Sequence, residues 1–140
     1  MINKLCTSLI LCLGLFISCS KNDIGAQLKR NAEEKIVGKW MLDHTIEQIY
    51  HPIQTLSSST ASFGSAGDSL VFERSNRVRT YSDTNRNKED VYEVVNPNQI
   101  IIGDKVWRME ELSSAKMLLV MDRNDVPENK RYVTRIYLKK

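Results

Sequence analysis

Neither sign of charge dominates this chain: 20 basic side chains face 17 acidic ones, a formal +3, with both signs interspersed. That balance argues against a dedicated nucleic-acid surface, which needs a concentrated basic face. Histidine is scarce. His44 and His51 fall on opposite pointing parity and lack neighbouring Cys or acidic residues at zinc spacing, so no metal centre is expected. Asp122-x-Asn124 starts like a calcium loop, but Val126 and Pro127 stand where a ligand and the turn glycine belong. Gly64-Ser65-Ala66-Gly67 lacks the strand-turn-helix setting of a nucleophile elbow, and no Ser/His/Asp constellation can be assembled, so neither an enzyme nor a cofactor is expected. No apolar run is long enough to cross a bilayer. The longest, Leu5 to Ile17, would make only about 20 Å of helix against a hydrocarbon layer of ~30 Å.

What that run does fit is an export signal. Met1-Ile2-Asn3-Lys4 supplies a basic start, and the run ends in Phe16-Ile17-Ser18-Cys19. This ending resembles the lipobox of bacterial lipoproteins, in which a large apolar and a small residue precede a cysteine that is lipidated before cleavage. Cys12 follows the bulky Leu11, and Cys6 lies too near the start, so of the three cysteines only Cys19 fits. The resemblance implies a signal peptide over 1–18, a thioether-linked diacylglyceryl group plus an acyl amide on Cys19, and membrane lipid as a partner. Several acyl chains at ~0.8 kcal/mol per buried methylene make such an anchor effectively permanent. Cleavage removes Cys6 and Cys12 and leaves no pair for an internal disulfide. With Ser20 and not aspartate after the cysteine, the resemblance favours the outer membrane of a Gram-negative bacterium, on either its periplasmic or its outer side.

Residues 19–35 read as a tether. Ile24, Leu28 and Ala32 recur every fourth position, which predicts a short amphipathic helix against the closed end of the domain, the alternative being a flexible stalk.

Residues 36–140 read as one all-β domain. Apolar residues alternate from Val37 to Tyr50, placing Trp40, Leu42, Ile46 and Tyr50 on one face with His44 and Gln48. Gln54 to Gly67 is rich in small residues without a strand or helix period, and is expected to be a lid or an insertion. Seven further strands follow: 69–74, 77–82, 91–95, 99–102, 106–112, 116–121 and 131–138. Turns near Ser75-Asn76, Asn96-Pro97-Asn98 and Gly103-Asp104 separate several of them. Eight hairpin-linked strands with apolar edges are best closed into a small antiparallel up-and-down barrel.

Val37-Gly38-Lys39-Trp40 ahead of this meander resembles the lipocalin-like domain of small bacterial lipoproteins, over about residues 36 to 138. Gly38 and Trp40 match the G-x-W whose tryptophan closes the barrel floor in that family. The resemblance implies an arginine stacked on it, here Arg135, with Arg131 second. The T-D-Y signature has no counterpart at Asp122-Arg123-Asn124.

Leu42, Phe72, Tyr92, Trp107, Met109, Leu119 and Met121 are expected to point inward with Trp40, as packed core or as the lining of a ligand cavity. Arg74, Arg77 and Arg79 are expected on a solvated outer face, contact with acidic lipid or polysaccharide being the alternative. Two functions are consistent with this reading. One is a non-enzymatic binding module for a small apolar or amphipathic ligand. The other is a filled barrel that docks on a membrane-protein partner as an assembly accessory.

Overall fold

The computed structural model describes residues 21–83 and 87–140. The proposed leader, residues 1–18, and the lipidation candidate Cys19 lie outside the described residues.

Helix α1 (Lys21–Ile36) carries Asp23 in its first turn and Lys35 in its last, each matching the sign the helix dipole favours at that end. Among the helix's described side chains only Ala32 and Ile36 are buried, while Ile24 and Leu28 remain about half exposed. The helix therefore docks by its C-terminal half and not along the whole fourfold stripe. Gly38 follows at φ 124°, a conformation that L side chains rarely adopt, and this turns the chain from helix into strand.

Nine strands follow: β1 (Gly38–Tyr50), β2 (Leu56–Phe63), β3 (Ser69–Phe72), β4 (Arg77–Tyr81), β5 (Lys88–Asn96), β6 (Gln99–Ile102), β7 (Lys105–Leu112), β8 (Lys116–Asp125) and β9 (Lys130–Lys139). Successive strands from β3 to β9 pair antiparallel. β1 joins the two ends, pairing with β3 from Gly38 to Met41 and with β9 from Met41 to Tyr50. The result is a closed eight-stranded antiparallel barrel, as the meander predicts.

Strand β2, additional to the eight of the barrel, overturns one expectation. Gln54 to Gly67 is not a lid or an irregular insertion, because Leu56–Phe63 forms a strand paired with His44–Tyr50. Every residue of β2 is exposed, so its side chains meet water on both faces and carry no period-two signal. Its place is set by backbone pairing, and by Gly64, where a Cβ would collide with the Leu42 carbonyl.

The lower barrel is filled. Trp40, Phe72, Val78, Tyr92, Val94, Ile100, Trp107, Met109, Met117, Leu119 and Leu138 form one buried cluster with Ala32 and Ile36 of α1. The Phe72 and Tyr92 rings meet edge to face at 5.1 Å, and the Tyr92 hydroxyl donates to the Glu73 carbonyl at 2.8 Å. Trp40 has no exposed surface, and its indole N–H donates to the Ile36 carbonyl at 2.7 Å. Helix and barrel floor are thus one packing unit.

A bulge in β1 decides what lies above this core. Leu42 pairs with Leu138, but the next pair is His44 with Tyr137, so Asp43 is the extra residue. One inserted residue exchanges the two faces of everything that follows. Trp40 and Leu42 point inward, whereas His44, Ile46, Gln48 and Tyr50 point outward. The single-face assignment of these six residues is therefore corrected at Asp43.

Candidate functional site: the open mouth

Beyond Val120 in β8 the ladder to β7 stops, while β2, β1, β9 and β8 continue as a four-stranded wall. The inner face of this wall follows from the register. Glu47 lies opposite Thr60 and Thr134, and Thr134 opposite Met121; in the next row, Ile49 lies opposite Ser58 and Tyr132, and Tyr132 opposite Arg123. Across from it stands the β6–β7 turn, where Gly103 at φ 61° presents Asp104 and Lys105. Together these residues enclose a cavity of about 610 Å³, large enough for one small molecule.

Its chemistry is mixed. Ile49, Met121 and the Tyr132 ring are half-buried and supply an apolar floor. Glu47, Asp104, Lys105 and Arg123 stand exposed around it. The Arg123 guanidinium sits 4.8 Å above the Tyr132 ring, and among the described residues neither it nor Glu47 nor Lys105 has an ion-pair partner. Glu47 and Arg123 stand two strands apart on the wall, so groups of opposite sign face a ligand from different sides.

The outer face differs in carrying several ion pairs between its own residues. Arg131 grips Asp122 at 2.9 Å, and that guanidinium holds the Asp122 carboxyl below its ordinary range. Arg79 binds Glu89 and Glu73, and Arg77 binds Glu89, so this basic strand is a paired, solvated face. Beside these pairs, His44 stacks on Tyr137 with ring centres 4.1 Å apart, and Phe63 leans toward it, 82% exposed.

The sequence-derived site residues separate into three groups. Phe72, Tyr92, Trp107, Met109 and Leu119 are buried in the packed core, with Leu42 half-buried against it. Met121 alone of that set lines the mouth. Gly38 and Trp40 form the floor, but the cation over Trp40 is Lys140, 4.5 Å from the ring centre, and not Arg135. Arg135 points outward and hydrogen-bonds Gln48, while Arg131 lies over Tyr50. The parity that turns Trp40 inward turns Arg135 outward, because β9 alternates strictly from Leu138. His44 and His51 sit apart, His51 contacting the Asn129 carbonyl at 3.2 Å.

Sequence reading missed Glu47, Arg123, Tyr132 and Lys105. The signal was present in the broken alternation at Asp43, after which Thr45, Glu47 and Ile49 take over the inward parity. No family model matches the chain, and no curated protein matches it. Fold and site together define a floor-capped, open-mouthed, eight-stranded antiparallel barrel.

Proposed function

We propose that this chain is a lipid-anchored, non-enzymatic binding module of the lipocalin-like kind, taking a small amphipathic ligand at the mouth of its barrel. One observation carries the reading. The lower barrel is packed solid, while the mouth holds a cavity of about 610 Å³ in which half-buried Ile49, Met121 and Tyr132 lie among unpaired Glu47, Lys105 and Arg123. A wholly apolar ligand would strip water from those charges without compensating them, so an amphipathic molecule suits the site better.

The lipobox at Phe16-Ile17-Ser18-Cys19 supports attachment through acylated Cys19, with the outer membrane as destination. Residues 20–140, purified from cells without denaturation, are expected to carry a retained small molecule in native mass spectrometry. Finding none after incubation with several lipid classes would count against the reading. The anchor is tested apart from this: Cys19→Ala is expected to move the protein from the membrane fraction to the soluble one.

A second reading rests on the outer face. Phe63, exposed beside the His44–Tyr137 stack, would suit contact with a membrane-protein partner, the barrel then acting as an assembly accessory. Crosslinking in cells that is lost in Phe63→Ser, with mouth variants neutral, would favour it.

A further inference from the structure

β2 leaves one of its edges open. Among the described residues it pairs with β1 alone, and all eight of its residues are exposed. The Gly64 N–H donates to the Asp43 carbonyl at 3.0 Å, which phases the ladder that continues from His44 opposite Phe63. Hydrogen-bonded and non-hydrogen-bonded pairs alternate from there, so Ser62, Thr60 and Ser58 are the residues bonded to β1. Ser59, Ala61 and Phe63 direct their N–H and C=O groups the other way, off the end of the sheet. Folded proteins guard such an edge with charge, proline, a bulge or a very short strand. From Ser58 to Phe63, β2 has none of these, its one register shift falling before Ser58.

We infer that β2 pairs antiparallel with β2 of a second copy of this chain, about a two-fold axis at Ala61. The edge itself selects that occupant. Ser59 and Phe63 stand evenly on either side of Ala61, so a second copy in this register answers all three residues with hydrogen-bonded pairs: Ala61 with its counterpart, Ser59 with Phe63 and Phe63 with Ser59. Because the strand is uncharged, self-pairing sets no like charges against each other, and nothing in it orients a charged partner. The side chains fit the same register. On the outer face, exposed Phe63 lies beside the small Ser59 of the second copy. On the mouth face, Thr60 comes opposite Ser62 of the second copy, a hydroxyl pair that favours sheet pairing. The axis is normal to the sheet, so two four-stranded walls join as one and both mouths open on the same face, with the cavity-lining Thr60 at the seam. The barrel axes then run antiparallel, and two copies anchored in one membrane lie along its surface.

The test uses residues 20–140, which hold every described element of the fold and no cysteine. Sedimentation equilibrium is expected to show monomer and dimer in exchange at concentrations up to about 100 μM, a range that registers micromolar dissociation constants. Under mild oxidation Ala61→Cys is expected to give a disulfide-linked dimer, since opposed residues of a hydrogen-bonded pair have Cα atoms about 5.5 Å apart. Ser59→Cys should give at least about fivefold less, its two copies standing roughly 13 Å apart along the strands. Ser59→Pro removes an N–H that β1 does not use, so the urea midpoint should hold while the dimer is lost. Ala61→Lys and Ala61→Glu should each weaken the dimer by about threefold or more, and an equimolar mixture should restore it, which no folding defect would allow. A monomer throughout that range, equal crosslinking at 59 and 61, or a dimer indifferent to Ser59→Pro overturns the inference. Crosslinking of Ala61→Cys to a different protein in cells, with the pure chain monomeric, overturns it as well and assigns the edge to a strand of that protein.

Discussion

The Lys140 ammonium lies 4.5 Å from the centre of the Trp40 ring and donates to the carbonyls of Lys35 and Val37, at 3.2 Å each. It thereby ties the end of α1, the start of β1 and the region beyond β9 to one buried indole. Cation-π contact and carbonyl hydrogen bonds act on the same ammonium, so its removal loses both. Lys140→Ala is expected to lower unfolding free energy by about 1 kcal/mol, most of it the ring contact. Trp40→Ala is expected to cost about 3 to 5 kcal/mol. In the double variant the lysine should count for less, with a coupling of at least about 0.5 kcal/mol read from urea midpoints. Strict additivity would mean that the ring and the ammonium do not act on each other.

Two glycines separate close approach from mere permissiveness. A Cβ at Gly64 would strike the Leu42 backbone, whereas nothing lies within 4 Å of one at Gly25. Gly64→Ala is expected to destabilise by about 1 to 3 kcal/mol, because backbone must move to admit the methyl. Gly25→Ala should stabilise by up to about 1 kcal/mol through helix propensity. Chemical denaturation of both variants checks the signs. A neutral Gly64→Ala would mean that β2 is not held against β1 at Leu42.

Alternation and turn chemistry made the barrel legible. The G-x-W at Gly38 and Trp40, the Ser75-Asn76 turn and the Gly103-Asp104 turn all sit at the junctions expected of them. β2 was hidden because a strand wet on both faces needs no pattern; Ser58 to Ser62 pair through backbone and leave no hydrophobic trace. The mouth was hidden by a single residue. With Asp43 bulged, Glu47 and Ile49 turn inward, and a reading that carries parity unbroken from Trp40 assigns the wrong half of β1 to the site. Arg135 was misplaced because β9 runs unbroken beside the bulge, and which cation reaches Trp40 depends on the chain beyond Lys139 and not on β9 itself.

Acid should loosen the barrel through its carboxylates. Hydrogen bonding to Arg131 lowers Asp122, to Arg79 lowers Glu89, to Lys130 lowers Glu128, and to Lys139 and then His44 lowers Asp43. A carboxyl held lower in the folded state than in the unfolded chain binds protons more readily after unfolding. Its stabilisation is therefore complete above the unfolded values near pH 4 and is lost as pH falls through the folded ones. Urea midpoints are expected to be flat from neutral pH down to about pH 5 and to drop below about pH 4. Asp122→Asn should give a lower midpoint at pH 7 and a shallower acid drop than the parent. An unchanged acid limb in that variant would remove the Asp122–Arg131 pair from the explanation.

Core and mouth should respond to substitution in opposite ways, which makes the site separable from the fold. Arg123 is exposed, its guanidinium lies over the Tyr132 ring, and among the described residues it has no carboxylate partner to leave behind, so Arg123→Ala should shift stability by no more than about 0.5 kcal/mol. Phe72 is 1% exposed within the packed cluster, and Phe72→Ala should cost about 3 to 5 kcal/mol. With anilinonaphthalene sulfonate as the probe, an amphipathic anion whose rings suit Ile49 and Met121, the order is expected to reverse. Loss of a charged hydrogen-bond donor worth about 1.5 to 3 kcal/mol would weaken binding by tenfold or more in Arg123→Ala. Filling the mouth with Met121→Trp should weaken it as well, at a stability cost of about 1 to 3 kcal/mol because Met121 also packs against the core. Probe binding that survives both mouth variants but fails in Phe72→Ala would place the ligand in the lower barrel, and a cavity would then have to open where side chains are now in contact.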